Sequence, residues 1–342
     1  MKKQPTKDEM QQFMADNLEE QTKRFFKTHV KLPPVPERIK TTAIGKMGLG
    51  EHEAVAVFSD YHLGSKIDVR VTGGLAEYNP QIARHRLAEW RNGVLRFTQM
   101  TQALAPVNTL HIFALGDDLE GHGEMFGTQK FEIDDSIYFQ YMAFIQDMCE
   151  ILPQFLTRYK KVIIHKVHGN HGRVAASAKQ AYPPDNFELM AWQNIKDRMM
   201  ALAPGRFEFN ISTSFFIMLE ILGWSFYIRH GHKIGGLKST YTGAQDNKFR
   251  MNSIVGEVIN YMVKAHLHEA GSQEAEIQGQ VIQNGCFVGP SLLSVEGNRA
   301  AANLPSQELF FVNRKRGITH HHRIYLATVD EVRQIKVWGR KK

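Results

Sequence analysis

Three short apolar runs in the first half of the chain are each followed by a longer stretch of helical periodicity. That alternation dictates a sheet flanked by helices. The runs are Ala54–Phe58, Leu110–Leu115 and Lys161–Val167, and the helical patterns cover 80–104 (opening at Pro80), 136–158 and 185–202. Beyond about residue 207 the pattern becomes strand-rich, with segments 207–212, 214–221, 224–230, 259–266, 280–288 and 322–338 alternating or running apolar. The expected class is therefore α/β. With 342 residues, 43% of them apolar, the chain can bury a sizeable core. Ahead of this body, residues 6–29 read as an amphipathic helix, with Met10, Phe13, Met14, Leu18, Phe25 and Phe26 on one stripe. Leu32-Pro33-Pro34-Val35-Pro36 ends that helix in a stiff linker. The domain reading is an N-terminal helical arm and linker over 1–50 and one main domain over 51–342. The glycine-rich stretch Gly45–Gly50 lacks a phosphate-loop pattern and reads as a plain turn.

The polar chemistry gathers where the strands stop. The first strand runs into Asp60-Tyr61-His62, the second into Gly116-Asp117-Asp118-Leu119-Glu120-Gly121, and the third into Gly169-Asn170-His171. Later strands end in Arg229-His230-Gly231-His232 and Ala265-His266-Leu267-His268. The carboxyl ends of strands in an α/β sheet share one edge, where ligands bind. Residues two apart in extended chain point the same way, so Asp60 with His62, and His266 with His268, can each present two ligands together. Nitrogen and oxygen donors without thiolates suit manganese, iron, zinc or nickel, and a set this large can hold two ions. Two neighbouring ions need a bridging carboxylate, and Asp117 is the natural bridge because it follows a glycine at a strand end. Each fragment alone has a plainer reading as turn chemistry; the ordered series does not.

That series, Asp60-x-His62, Gly116-Asp117, Gly169-Asn170-His171, His230 and His266-x-His268, resembles the calcineurin-like metallophosphoesterase superfamily over roughly residues 53–290. The resemblance implies a four-layer α/β/β/α sandwich with a dinuclear metal site. It implies that Asp60, His62, Asp117 and His268 hold one ion, and that Asp117, Asn170, His230 and His266 hold the other. His171 would contact the scissile phosphate and protonate the leaving oxygen. The family's ligand usually stands directly before a glycine, which favours His230 over His232. Departures from the pattern are Gly172, where the family usually has an acidic residue that orients the histidine, and Ala265, where it has glycine. Asn284-Gly285-Cys286 replaces the family's Asn-x-Gly-Ser. His111, His122, His165 and His168 read as ordinary histidines, and a metal site at His320-His321-His322 is speculative.

Substrate information has to come from outside the cluster. Arg173 is a candidate for a phosphate oxygen, with Arg229, Lys66, Arg84 and Arg86 behind it. Phe126 and Phe131, on the loop 119–135, are candidates for stacking on a base. The net charge of +7 is unevenly spread: residues 1–50 carry +4 (10 Lys and Arg against 6 Asp and Glu) and residues 301–342 carry +6 (9 against 3). The 250 residues between them carry −3 (23 against 26). Basic ends around a metal-binding middle point to an anionic partner, DNA first among them. The motif spacing is similar to that of SbcD-type DNA repair nucleases, and the compact chain resembles phage-encoded members. Those enzymes usually use manganese, and the resemblance leaves a homodimer or an ATPase partner open. The expected activity is thus a DNA exo- or endonuclease; the alternative is a phosphatase or cyclic-nucleotide phosphodiesterase acting on a small molecule or phosphoprotein. A non-catalytic binding module is disfavoured by the complete ligand set. No apolar run is long enough to span a bilayer, the start is charged and not signal-like, and only Cys149 and Cys286 occur. The expected location is cytoplasmic, with no membrane partner.

Overall fold

The computed structural model describes residues 34, 36–37, 50–124, 129–175, 182–232, 240–275, 279–290 and 304–332. The expected N-terminal arm, most of its linker and Phe126 lie outside the described residues. From the amino end of the body come β1 (His52–Phe58), α1 (Pro80–Gln102), β2 (Val107–Ala114), α2 (Ile137–Phe155), β3 (Lys161–Lys166), α3 (Phe187–Leu202) and β4 (Phe207–Ile211). Then follow β5 (Phe216–Ile221), β6 (Trp224–Arg229), α4 (Thr240–Val255), β7 (Tyr261–Lys264), β8 (Gly271–Glu274) and β9 (Gln280–Gln283). The described chain closes with β10 (Ser306–Asn313), β11 (Gly317–Tyr325) and the single turn α5 (Val329–Val332).

Two sheets result. The first has the order β11-β10-β1-β2-β3-β4, the second β5-β6-β7-β9-β8. β1 to β4 are mutually parallel, as the helical crossovers require, while β10 and β11 join antiparallel. The sheets pack face to face. Val55, Val57, Phe113, Leu115 and Val167 meet Phe226, Ile228, Val263 and Ile282, with Phe310 and Val312 in the same core. The other face of β1 points to the helices, where the Phe58 ring lies 5.2 Å from that of Trp90 and 6.3 Å from that of Phe144. Burial on both faces is why β1 reads as an unbroken apolar run. On the far side, Ala244 of α4 packs on Tyr227, Met262 and Val281 of the second sheet. The layers are α/β/β/α, as expected.

Local chemistry sets the helix starts. Asn79 accepts the N–H groups of Gln81 and Ile82 at 3.0 and 2.9 Å, with Pro80 in the first turn of α1. Asn186 caps α3 through the N–H of Glu188 at 2.9 Å.

One expectation changes, and β8, β10 and α4 add to the pattern read from the sequence. The strand read over 322–338 ends at Tyr325 and gives way to the turn α5. β10 was not foreseen because Gln307 and Glu308 interrupt its apolar pattern; both are buried and paired, Gln307 with Ser59 and Asn284, Glu308 with His321 and Arg323. α4 has little amphipathic signal and is held by tertiary packing through Ala244 and Met251. The histidine run divides between two faces of β11. His321 lies 2.7 Å from Glu308, while His322 stacks on Phe97 at 4.3 Å, so no metal-holding group of three forms there among the described residues. Among the described residues, no helix is long and apolar enough to cross a membrane.

Candidate metal centre

β1, β2, β3, β6 and β7 all end at one edge, and the chain then turns sharply. Among the described residues only six non-glycine positions have positive φ, and five are Asp60 (54°), His62 (45°), Asp117 (55°), His266 (76°) and His268 (60°). Such conformations cost about 1–3 kcal/mol each and persist where surrounding structure enforces them. The expectation that extended chain aims both pairs is corrected here, because left-handed turns beyond the strand ends do the aiming. Asp60 and His62 consequently fall in one cluster, whereas His266 and His268 fall in two.

Two glycines set the closest approach of the turns. A Cβ on Gly116 would lie 2.2 Å from the Gly169 nitrogen, and one on Gly169 would lie 2.1 Å from the Asp117 nitrogen. Backbone therefore packs on backbone. Asp117 Oδ1 accepts the N–H groups of Asn170 and His171 at 2.7 and 2.8 Å. Its Oδ2 is 2.9 Å from His230 Nε2 and 4.0 Å from His62 Nε2.

Around this carboxylate the side chains form connected groups. His268 Nε2 is 3.3 Å from Asp60 Oδ1 and 3.3 Å from His62 Nε2. His230 Nε2 is 3.1 Å from Asn170 Oδ1 and 3.2 Å from His266 Nδ1. Three triads can each converge on a point: Asp60, His62 and His268; His62, Asp117 and His171; Asp117, His230 and His266. His232 belongs to none of them. Its ring stands 5.6 Å from that of His230, and burial beside the His230 charge lowers its pKa to about 3.

The electrostatics favour added positive charge. Burial works against ionising Asp117, yet His230, His171 and His62 hold it well below the ordinary carboxylate range. Asp60 is likewise opposed by burial and brought to about 2, chiefly by His268. Reciprocally, burial opposes a charge on His171, but Asp117 and Glu120 raise its pKa to about 10. Buried carboxylates thus draw protons onto His171, His230 and His268, a field that cations would also answer, while burial lowers the pKa of His266 to about 4.

Glu120 is the residue that sequence reasoning noticed and left without a role. Its Oε2 meets His62 Nδ1 at 2.9 Å, its carbonyl meets His171 Nδ1 at 3.0 Å, and its Oε1 lies 3.5 Å from the same nitrogen. Buried Gln129 donates to the Glu120 carbonyl at 2.8 Å and to Oε1 at 2.6 Å. Glu120 therefore holds both rings, His62 through its carboxylate and His171 chiefly through its backbone carbonyl. Its place, three residues after Asp117, was the available signal. Arg173 donates to the carbonyls of Ala175 and Asn170 at 2.9 and 3.2 Å, beside the cluster. The weaker candidates are engaged elsewhere: Arg84 pairs with Asp147, Lys66 with Asp134, and buried Arg86 holds the carbonyls of Phe287 and Val288. Arg229 donates to the Tyr227 hydroxyl at 3.0 Å. Phe131 is exposed, with the Lys130 ammonium 5.0 Å from its ring centre.

The residues fit a pair of divalent ions. Ligands about 2.1 Å from an ion stand roughly 3.0–3.4 Å apart, which matches the 3.1–3.3 Å separations across these groups. Asp60 Oδ1 is buried without a hydrogen bond. The remote nitrogens of His62 and His230 are already engaged, by Glu120 and by the Leu115 carbonyl at 2.9 Å, which turns Nε2 of each to the centre.

No protein-family model matches the sequence, and no curated protein matches it. Solved structures with a distant likeness include wild-type Vps29 complexed with zinc from Entamoeba histolytica, at 10% identity, covering 80% of this chain and 99% of that one, with a TM-score of 0.34. A 5'-nucleotidase from Candida albicans is 10% identical over 82% of this chain and 53% of its own, with a TM-score of 0.39. A predicted phosphoesterase from Streptococcus pneumoniae is 10% identical over 80% of this chain and 98% of its own, with a TM-score of 0.30.

Proposed function

We propose that this protein is a dinuclear metal-dependent phosphoester hydrolase, and that its substrate is a nucleic-acid phosphodiester, DNA in the first instance. The supporting observation is Asp117. One of its oxygens is fixed by two backbone N–H groups, and the other faces His230 and His62, one from each ligand set. Asp60, His62 and His268 would hold one ion with Asp117, and Asn170, His230 and His266 the other. Bound there, two divalent ions such as Mn²⁺ activate water and neutralise the phosphate. His171 is fixed at Nδ1 by Glu120, which leaves Nε2 as the nitrogen to pass a proton to the departing oxygen. Arg173, next to that turn, is assigned to a phosphate oxygen. The net charge of +7 supports a polyanionic substrate over a small one.

The test is a panel of labelled single- and double-stranded DNA and RNA with Mn²⁺ at two salt concentrations. DNA cleavage is expected, weaker at high salt, and lost in Asp117→Asn and His171→Ala. Hydrolysis of bis-p-nitrophenyl phosphate without cleavage or salt-sensitive retention of any nucleic acid assigns the centre to small phosphoesters instead. A protein that binds no divalent ion refutes the reading altogether.

A further inference from the structure

Beneath the cluster, a buried charge network joins the loop that carries Asp117 to the loop that carries Asn170 and His171. Lys166, the last residue of β3, is fully buried, as are Asp118 and Glu188. A buried ammonium costs several kcal/mol unless paired and hydrogen-bonded. Here it donates to Asp118 Oδ2 and, at 3.1 Å, to Glu188 Oε2. Trp192 of α3 donates to the same Asp118 oxygen at 2.8 Å.

Glu188 has the more specific geometry. Its Oε1 accepts the Asp118 N–H at 3.2 Å and its Oε2 accepts the Gly169 N–H at 3.0 Å, so one carboxylate places one oxygen on each loop. Its neighbour Asn186 donates to the Gly169 carbonyl at 3.3 Å while capping α3. Gly172 makes this approach possible, because a Cβ there would lie 2.5 Å from Glu188 Cγ and 2.6 Å from Asn186 Oδ1. The side chain missing after the Asn-His pair is the space through which Glu188 enters.

We propose that Glu188 is a positioning residue for the metal-binding loops. Its carboxylate, held by Lys166, sets the separation of Asp117 from the Asn170–His171 turn, and with it the affinity for the ion assigned to Asp117, Asn170, His230 and His266. This rests on the dinuclear reading given above. Gln at 188 keeps the shape but offers one acceptor, so its amide N–H₂ faces the N–H of one loop. Asp at 188 keeps the charge but is too short to span both loops.

Calorimetric titration of metal-free protein with Mn²⁺ tests this, on the natural chain, Glu188→Gln and Glu188→Asp, alongside thermal melts. The expected result is two bound ions in every case, with one dissociation constant raised about 10- to 100-fold in either variant, the range for lost outer-shell support. Excess Mn²⁺ then restores hydrolysis. Unchanged affinities in a folded variant, even one with a lowered melting temperature, overturn the proposal and leave Glu188 a purely structural group. Should both variants fail to fold, amide exchange in the natural metal-free protein decides: Asp118 and Gly169 N–H groups are expected to exchange slowly, and rapid exchange at both overturns the clamp. A natural chain that binds no Mn²⁺ but protects both amides faults the dinuclear reading and, with it, the role of the clamp in ion affinity.

Discussion

Replacing Glu120 with Gln separates orientation from coordination, because Glu120 contacts two histidines of the site and is not itself among the candidate ligands. The natural carboxylate receives His62 Nδ1 at 2.9 Å and Gln129 Nε2 at 2.6 Å, on different oxygens. A Gln can serve only one of these with its oxygen, and its N–H₂ then meets the other donor. Hydrogen bonds to a buried charged group are worth about 1.5–3 kcal/mol, which corresponds to roughly a 10- to 100-fold loss, the same range as measured for outer-shell partners of metal ligands. The expected result is a fall of that size in kcat/KM on bis-p-nitrophenyl phosphate at fixed Mn²⁺. Direction on the pH axis follows from His171. Against the opposing effect of burial, Asp117 and Glu120 raise its pKa to about 10, so its charged form contributes stability below its unfolded value near 6.5 and loses it as pH rises towards 10. Without the Glu120 charge the folded pKa drops. Urea melts of the metal-free variant should therefore lose less stability between about pH 7 and pH 10 than those of the natural protein. A kcat/KM within about twofold of the natural value, together with an unaltered pH dependence of unfolding, would refute the reasoning.

Four further substitutions test three individual positions. His230→Ala removes the nitrogen 2.9 Å from Asp117, and it is expected to lose one Mn²⁺ by calorimetry and most hydrolysis, whereas His232→Ala, outside every triad, keeps both ions. At His268, where φ is 60°, Gly relieves backbone strain that Ala retains. The metal-free His268→Gly protein is expected to be more stable to urea than His268→Ala by about 1 kcal/mol, and the reverse order rejects strain at this turn.

The parts of the fold that show in the sequence are those where one physical demand dominates. β1, β2 and β3 are buried on both faces and so read as apolar runs, and Pro80 marks the first turn of α1. The candidate ligand series shows because each member follows a strand end. What stays hidden depends on partners distant in sequence. Glu188 reads as an ordinary polar residue in the first turn of a helix until Gly172 opens the space beside it. Gln307 and Glu308 disguise β10 because their partners, Ser59, Asn284, His321 and Arg323, come from elsewhere in the chain. Asp60 and His62 fall in one cluster through their turns, since alternation along a strand cannot describe residues with φ of 54° and 45°.

The two aspartates share a division of labour that accounts for their residue type. Asp60 Oδ2 accepts the Ser59 hydroxyl at 2.6 Å and lies 3.4 Å from the His266 N–H, while Oδ1 has no hydrogen bond and faces His268. Asp117 Oδ1 accepts two backbone N–H groups, and Oδ2 faces His230 and His62. In each, one oxygen is fixed by the protein and its twin is turned to the centre. Asn cannot do this, because its N–H₂ must either confront the backbone donors or point into the cluster, where it cannot bind a cation. At Asp117, Glu would add a methylene beside the Gly116–Gly169 contact, where even a Cβ placed on Gly116 would lie 2.2 Å from the Gly169 nitrogen. The Ser59–Gln307–Asn284 group behind Asp60 and the Lys166–Glu188 pair behind Asp117 are then two supports of one kind. Each fixes the oxygen or loop on the protein side so that the opposite oxygen has a single place to be.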